Sequence, residues 1–230
     1  MELSAIDAAC SASGLTLRGA FHPQAEDRVP ELASGRPAET LVLLGNVGAS
    51  FWPPFSRAPE FSDGAPDPLN RWSERVIGAL AGDLGAEALY PFGRPPHLPF
   101  VAWAKRAEPV SESPLGMLIH PDHGLWHAYR GALAFSDRIA LPPRDARPSP
   151  CGSCLEKPCL SACPVAAFAS EGYDVVACTE HIETPSGRDC LDLGCRARRA
   201  CPVGRAARYE AAQAAFHMAA FLRARRMEAA

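Results

Sequence analysis

The sequence predicts an α+β protein in two parts: a mixed helix-and-strand domain over residues 1–147, then a small cysteine-rich domain over residues 148–230 closed by a C-terminal helix. Three observations carry this. Helix-like and strand-like apolar patterns alternate through the first part. Eight of the nine cysteines fall between Cys151 and Cys201. Between the parts, LPPRDARPSP (141–150) holds four prolines and no apolar period, which reads as a linker.

Taken in order, residues 2–13 place Leu3, Ile6 and Cys10 at helical spacing, and Gly14 stops them. LTLRGAF (15–21) alternates like a strand. Residues 23–39 read as loop. LVLLG (41–45) is a continuous apolar run, the pattern of a strand buried on both faces. The proline-rich stretch 51–68 reads as a long ordered loop. Asp67 is placed to cap a helix from Pro68, with Trp72, Val76, Ile77 and Leu80 on one face and Gly85 at its end. EALYPF (87–92) suits a strand and PFVAWAKRAE (99–108) a short helix. LGMLIHP (115–121) and LWHAYRGALAF (125–135) read as two strands joined by the tight turn PDHG. Residues 205–226 form an Ala-rich helix with Tyr209, Ala212, Phe216 and Ala219 on one face.

Composition excludes more than it selects. A net charge of −3 argues against nucleic acid and anionic membranes as partners. No apolar run approaches the roughly 20 residues that span a bilayer. The N-terminus lacks a basic segment followed by an apolar block, so no secretory signal is expected and the cytoplasm is the default.

In a reducing compartment, a block of closely spaced cysteines is a metal site more often than a disulfide framework. The block reads Cys151-x2-Cys154-x4-Cys159-x3-Cys163-Pro164, then Cys178, Cys190, Cys195 and Cys201-Pro202. In two-cluster ferredoxins the cysteine before proline turns away to ligate the other cluster. That rule assigns Cys151, Cys154, Cys159 and Cys201 to one four-iron, four-sulfur cluster. Cys163, Cys178, Cys190 and Cys195 hold the second, with no cysteine of the block left over. Structural zinc is the competing reading, but zinc sites usually pair two Cys-x2-Cys hooks and only one is present. His181, three residues after Cys178, is an alternative ligand. Arg196, Arg198, Arg199, Arg205 and Arg208 either form a docking patch or neutralise anionic clusters and helix ends. Cys10, alone on a helix, reads as a buried apolar residue.

The block from Cys151 to Pro202 resembles the dicluster module of epoxyqueuosine reductases and corrinoid-dependent reductive dehalogenases. In that module an isolated cysteine with a short following segment, here Cys178-Thr-Glu-His-Ile-Glu-Thr, precedes the final cysteine run. A second likeness lies in GMLIHPDHGLWHAYRGALAF (116–135), which is similar to a segment of cblC-type cobalamin-processing proteins. His120, Pro121, Gly124, Trp126, Arg130 and Gly131 carry it. Together the likenesses imply a nitroreductase-like N-terminal domain that binds a corrinoid or a flavin, followed by a ferredoxin-like two-cluster domain that feeds it electrons. His120, Gly124, Trp126 and Arg130 are the cofactor-binding residues so implied, with Trp52, Phe55, Trp103 and His123 as further candidates for the pocket. Gly45-Asn46-Val47-Gly48 is a candidate phosphate turn.

The expected function is redox: a corrinoid-linked reductase or cobalamin-processing oxidoreductase, supplied with electrons by a redox partner protein. The rival expectation is a ferredoxin-type electron carrier with no catalytic site of its own.

Overall fold

Leu41, Val42, Leu43 and Leu44 are fully buried because their strand runs through the middle of a sheet with helices packed on it. The structure is a computed structural model that describes residues 1–169 and 172–228. The chain divides into two units, residues 1–109 with 127–147, and residues 110–126 with the described residues from 148 onward. The segment 110–126 thus folds with the cysteine-rich part.

The first unit starts with helix α1 (Leu3–Ala12) and strand β1 (Thr16–Phe21). Strand β2 (Thr40–Val47), helices α2 (Trp52–Ser56), α3 (Pro59–Ser62) and α4 (Pro68–Leu84), strand β3 (Glu87–Leu89) and helix α5 (Phe100–Ala107) follow. Two short strands of the second unit, β4 (Ser111–Glu112) and β5 (Leu118–Ile119), come next in the chain, before β6 (His127–Phe135) returns to the first. The sheet runs β1-β2-β6-β3 and every pairing is antiparallel. Helices α1, α4 and α5 pack against it. Gly131 on β6 permits that packing, since a Cβ there would lie 2.7 Å from the Ile77 side chain of α4.

Three expectations need correction here. Residues 51–68 are two short helices instead of a loop: Pro53, Pro54 and Pro59 sit in first turns, where a missing N–H costs nothing. Their aromatics Phe51, Trp52, Phe55 and Phe61 interlock with Trp72, with centroid separations of 5.3–6.5 Å. Asp67 stands at the cap position of α4 with φ +50°, and its side chain caps nothing. Gly85 does end the helix in the left-handed conformation. Finally, 115–135 is not one hairpin. β5 pairs with β4 and β6 with β2 and β3, leaving a single bridge, His120 to Gly124, at the turn.

The second unit continues with α6 (Pro158–Ser161), the pair β7 (Phe168–Ala169) and β8 (Gly172–Tyr173), and helices α7 (Val175–Ile182), α8 (Arg188–Leu193), α9 (Arg196–Ala200) and α10 (Ala211–Glu228). Asp174 caps α7 by accepting the Ala177 N–H at 2.9 Å. Two small cores form, each built around cysteines. One joins Leu115, Ile119, Leu125, Cys159, Ala197 and Cys201; the other joins Ile182, Cys190 and Leu222. The terminal helix starts six residues later than its periodicity predicts. It buries Gln213, Ala214 and Leu222 and leaves Ala212 exposed, because it packs on α8. Among the described residues no helix is long and apolar enough to cross a membrane.

Candidate functional site

The eight clustered cysteines lie on loops and on short helices of four to eight residues, none long enough to be stable alone. Their side chains therefore supply much of what the unit can pack. Their electrostatic neighbours sort them into two groups. Burial raises the Cys159 thiol above its ordinary value, and the adjacent thiols of Cys201, Cys151 and Cys154 raise it further. Burial likewise raises Cys151, followed by Cys201; the Ser149 hydroxyl lowers it and Cys154 raises it. In the second group, burial raises Cys178, the Tyr173 hydroxyl lowers it, and Cys163 and Cys190 raise it. Cys195 is raised by burial, lowered by the facing amides of Arg198 and Ala197, and raised by Cys190 and Cys178. Those amides stand at the start of α9 without forming a capping hydrogen bond. The Ala167 N–H donates to the Cys163 sulfur at 3.3 Å.

Each group thus offers four soft sulfur donors with N–H or O–H groups turned towards some of them. That donor set suits iron–sulfur ligation, where hydrogen bonds to sulfur help set the potential. Among the described residues no three His, Cys, Asp or Glu side chains are arranged to hold a single metal ion. His181 Nε2, on the same helix as Cys178, is buried with no hydrogen-bond partner among the described residues. Cys10 stands apart, fully buried in α1 of the first unit.

A cavity of about 500 Å³ lies within the second unit, beside the second group. Cys178 and Cys195 form part of its wall, and Trp126, Tyr209, Arg198 and Phe221 form much of the rest. The Arg198 guanidinium carbon sits 4.6 Å from the Trp126 ring centre and 4.4 Å from that of Tyr209. Its Nε and Nη2 donate to the Leu125 carbonyl at 3.1 and 2.5 Å. Trp126 is 3 % exposed, and its Nε1–H is buried without a partner among the described residues.

The residues expected to bind a corrinoid or flavin divide between the units. His120, Gly124 and Trp126 lie in the second, Arg130 in the first. His120 is buried, and its Nδ1 accepts the N–H groups of Asp122 at 3.1 Å and His123 at 3.4 Å. Gly124, at φ +57°, lies against the segment that follows Cys201; a Cβ there would sit 2.1 Å from the Val203 carbonyl oxygen. Arg130 donates to Ser73 at 3.1 Å and Asn70 at 2.6 Å, with Phe92 5.1 Å away across its ring face. Of the candidate pocket aromatics, Trp52, Phe55 and Trp103 are core, Trp103 donating to the Asp27 carbonyl at 2.8 Å. The candidate phosphate turn does not form, because Gly45, Asn46 and Val47 pair with Tyr129, Ala128 and His127 in the sheet.

The arginines near the cysteines are mostly engaged locally. Arg196 and Arg199 both pair with Asp189, and Arg208 donates to the Arg199 carbonyl. Sequence reasoning missed the buried Arg18–Glu108–Tyr129 network of the first unit and the role of Tyr173. No local pattern announces either, since both depend on which strand or helix folds back alongside.

No protein-family model matches the sequence, and no curated protein matches it. Among solved structures the chain is similar to epoxyqueuosine reductase from Streptococcus thermophilus, with a TM-score of 0.52 and 17 % identity over 89 % of this chain and 67 % of that one. At that identity the likeness shows a shared fold, a mixed α/β architecture with antiparallel sheets.

Proposed function

We propose that this is an iron–sulfur redox protein whose second unit carries two four-iron, four-sulfur clusters. Cys151, Cys154, Cys159 and Cys201 hold one, and Cys163, Cys178, Cys190 and Cys195 the other. The observation that carries the reading is the sorting of the thiols: Cys201 neighbours Cys151 and Cys159 across the sequence, as crossed ligation requires. When bound, the clusters supply one-electron transfer. The protein's own groups tune it. The Ala167 amide donates to the Cys163 sulfur, the Tyr173 hydroxyl lowers the pKa of the Cys178 thiol, and the amides of Arg198 and Ala197 oppose the rise that burial imposes on Cys195.

Electrons enter from a redox partner protein and leave to an acceptor, which makes the protein a reductase. The acceptor is a corrinoid, a flavin or a substrate held by the N-terminal part of the chain, residues 1–147. The likeness of 116–135 to cobalamin-processing proteins and the shared fold support the corrinoid. Titration with cobalamin tests that choice, a shift to the base-off spectrum supporting it. A ferredoxin-type carrier without a catalytic site of its own is the alternative, and binding of neither cobalamin nor flavin would favour it.

Anaerobic purification with iron, sulfide and zinc analysis tests the proposal. About eight iron and eight sulfide per chain are expected. Stoichiometric zinc without sulfide would overturn it, and four iron would leave one cluster standing.

A further inference from the structure

Phe168 and Tyr173 pair across β7 and β8, and their rings stack with centres 4.7 Å apart and planes 7° from parallel. The Phe221 ring of α10 lies 6.4 Å from Tyr173, 28° from its plane. The pair leads directly into α7: the Asp174 N–H donates to the Ala167 carbonyl at 2.8 Å, and Asp174 caps the helix that carries Cys178. Two donors to sulfur thus come from one fixed hairpin. The Ala167 N–H reaches Cys163 at 3.3 Å, and the Tyr173 hydroxyl reaches Cys178. Burial, then the hydrogen bond to Cys178, then the charges of Cys178, Cys195 and Cys163 hold that hydroxyl protonated, well above the ordinary tyrosine value. Tyr173 therefore lies beside three of the four thiols of the second group, as a donor that stays charged with its proton.

The first group is supplied differently. Cys151 faces the Ser149 hydroxyl, which itself accepts from Ser111 at 2.7 Å, and Cys159 faces its own amide. The second group has the Ala167 amide on Cys163, the Tyr173 hydroxyl on Cys178 and the amides of Arg198 and Ala197 on Cys195. Reduction adds negative charge to a cluster and its thiolates. A donor on sulfur stabilises that more negative state and so raises the reduction potential. Exposure does not reverse the contrast, since Cys159 and Cys201 of the first group are buried against Cys190 of the second. Lys157 favours the thiolate of Cys151, but it is exposed and its charge is screened by water and salt.

We propose that Tyr173 sets the cluster of the second group above that of the first in reduction potential, its hydroxyl donating to the Cys178 sulfur from a ring held by Phe168. The single electron of a half-reduced chain then rests on the second cluster. Tyr173 is a positioning residue, because it acts through the Cys178 sulfur. Its ring is 40 % exposed, so Tyr173→Phe deletes one oxygen while the stack on Phe168 stays in place.

This role rests on the two-cluster reading, so iron and sulfide are measured first on the full-length chain. Anaerobic redox titration followed by paramagnetic resonance is then run on wild type, Tyr173→Phe and Ser149→Ala. In wild type, the signal that is missing from Cys190→Ser should appear at the higher potential. At the potential that half-reduces this cluster in wild type, Tyr173→Phe should lower its reduced-to-oxidised ratio about tenfold, which is about 59 mV for a one-electron couple. Iron content and the other signal should not change. Ser149→Ala should lower the potential of the other signal alone. Tyr173→Phe protein with full iron and both potentials unmoved overturns the role. Loss of iron from Tyr173→Phe also overturns it, since the hydroxyl is then structural. A wild-type titration in which the signal missing from Cys159→Ser appears first does so as well. Zinc without sulfide overturns the cluster reading itself, and the role falls with it.

Discussion

Cys201 lies beside Cys151, and among neighbouring charged groups it is the strongest influence on that thiol, ahead of Cys154 three residues away in sequence. Proximity in space has overtaken proximity in sequence. The turn after Cys201 explains how: Pro202 ends α9, and the next residues pack against the 120–124 turn so tightly that Gly124 and Gly204 have no room for side chains. A Cβ on Gly204 would fall 2.2 Å from the His123 backbone.

Gly124→Ala should therefore act through structure, whatever ligand is present. It places a methyl 2.1 Å from the Val203 carbonyl oxygen at a positive φ, a strain of at least about 1–3 kcal/mol. Chemical denaturation should show that loss, and iron content should fall with it through displacement of Cys201. Full iron retention and unchanged stability would contradict the packing described.

The first unit contains a buried ion pair between Arg18 and Glu108. Arg18, 1 % exposed, donates to Glu108 through Nε at 3.0 Å and Nη2 at 2.8 Å, and to the Asn46 carbonyl through Nη1 at 2.8 Å. Tyr129 donates its hydroxyl to the same carboxylate at 2.5 Å. Glu108→Gln leaves the guanidinium buried without its counter-charge and should cost about 3–5 kcal/mol. Tyr129→Phe removes one hydrogen bond to a charged group and should cost about 1.5–3 kcal/mol. Urea unfolding of both variants checks the order, which a mere surface pair would not produce.

Cys10 offers a pH test separate from the clustered thiols. Burial, then the charge of Asp7, pushes its pKa from 9.0 to about 12. A raised pKa favours the protonated thiol in the folded state, so its contribution is whole below about pH 9 and is lost as pH rises towards 12. Wild type should thus lose stability between pH 8 and 10 faster than Cys10→Ala does. Cys10 should also resist alkylation until the protein unfolds, and its replacement should spare all iron.

Much of this was legible in the sequence, for identifiable reasons. The run 41–45 marked the central strand because apolar residues on both faces fit little else, and Gly85 marked a helix end by its φ. The cysteine block drew attention through its spacing and two Cys-Pro steps, which are visible in the sequence itself. The failures came where tertiary contacts decide. Prolines at 53, 54 and 59 look like loop residues but also suit first turns, and only the surrounding aromatics choose. The apparent hairpin 115–135 follows two good strand patterns, yet β6 finds better partners in β2 and β3 than in β5. The partners of Trp126, Arg198 and Tyr209, lie too far along the chain for any pattern to reveal.

Crossed ligation is the central claim, and paramagnetic resonance of the reduced protein tests it most directly. Spectra of Cys159→Ser, Cys201→Ser, Cys163→Ser and Cys190→Ser would be compared, with iron content measured for each. Cys201→Ser should lose the same signal as Cys159→Ser, and Cys163→Ser the same signal as Cys190→Ser. If Cys201→Ser instead matches Cys190→Ser, and Cys163→Ser matches Cys159→Ser, each cluster is held by cysteines adjacent in sequence and the account is wrong.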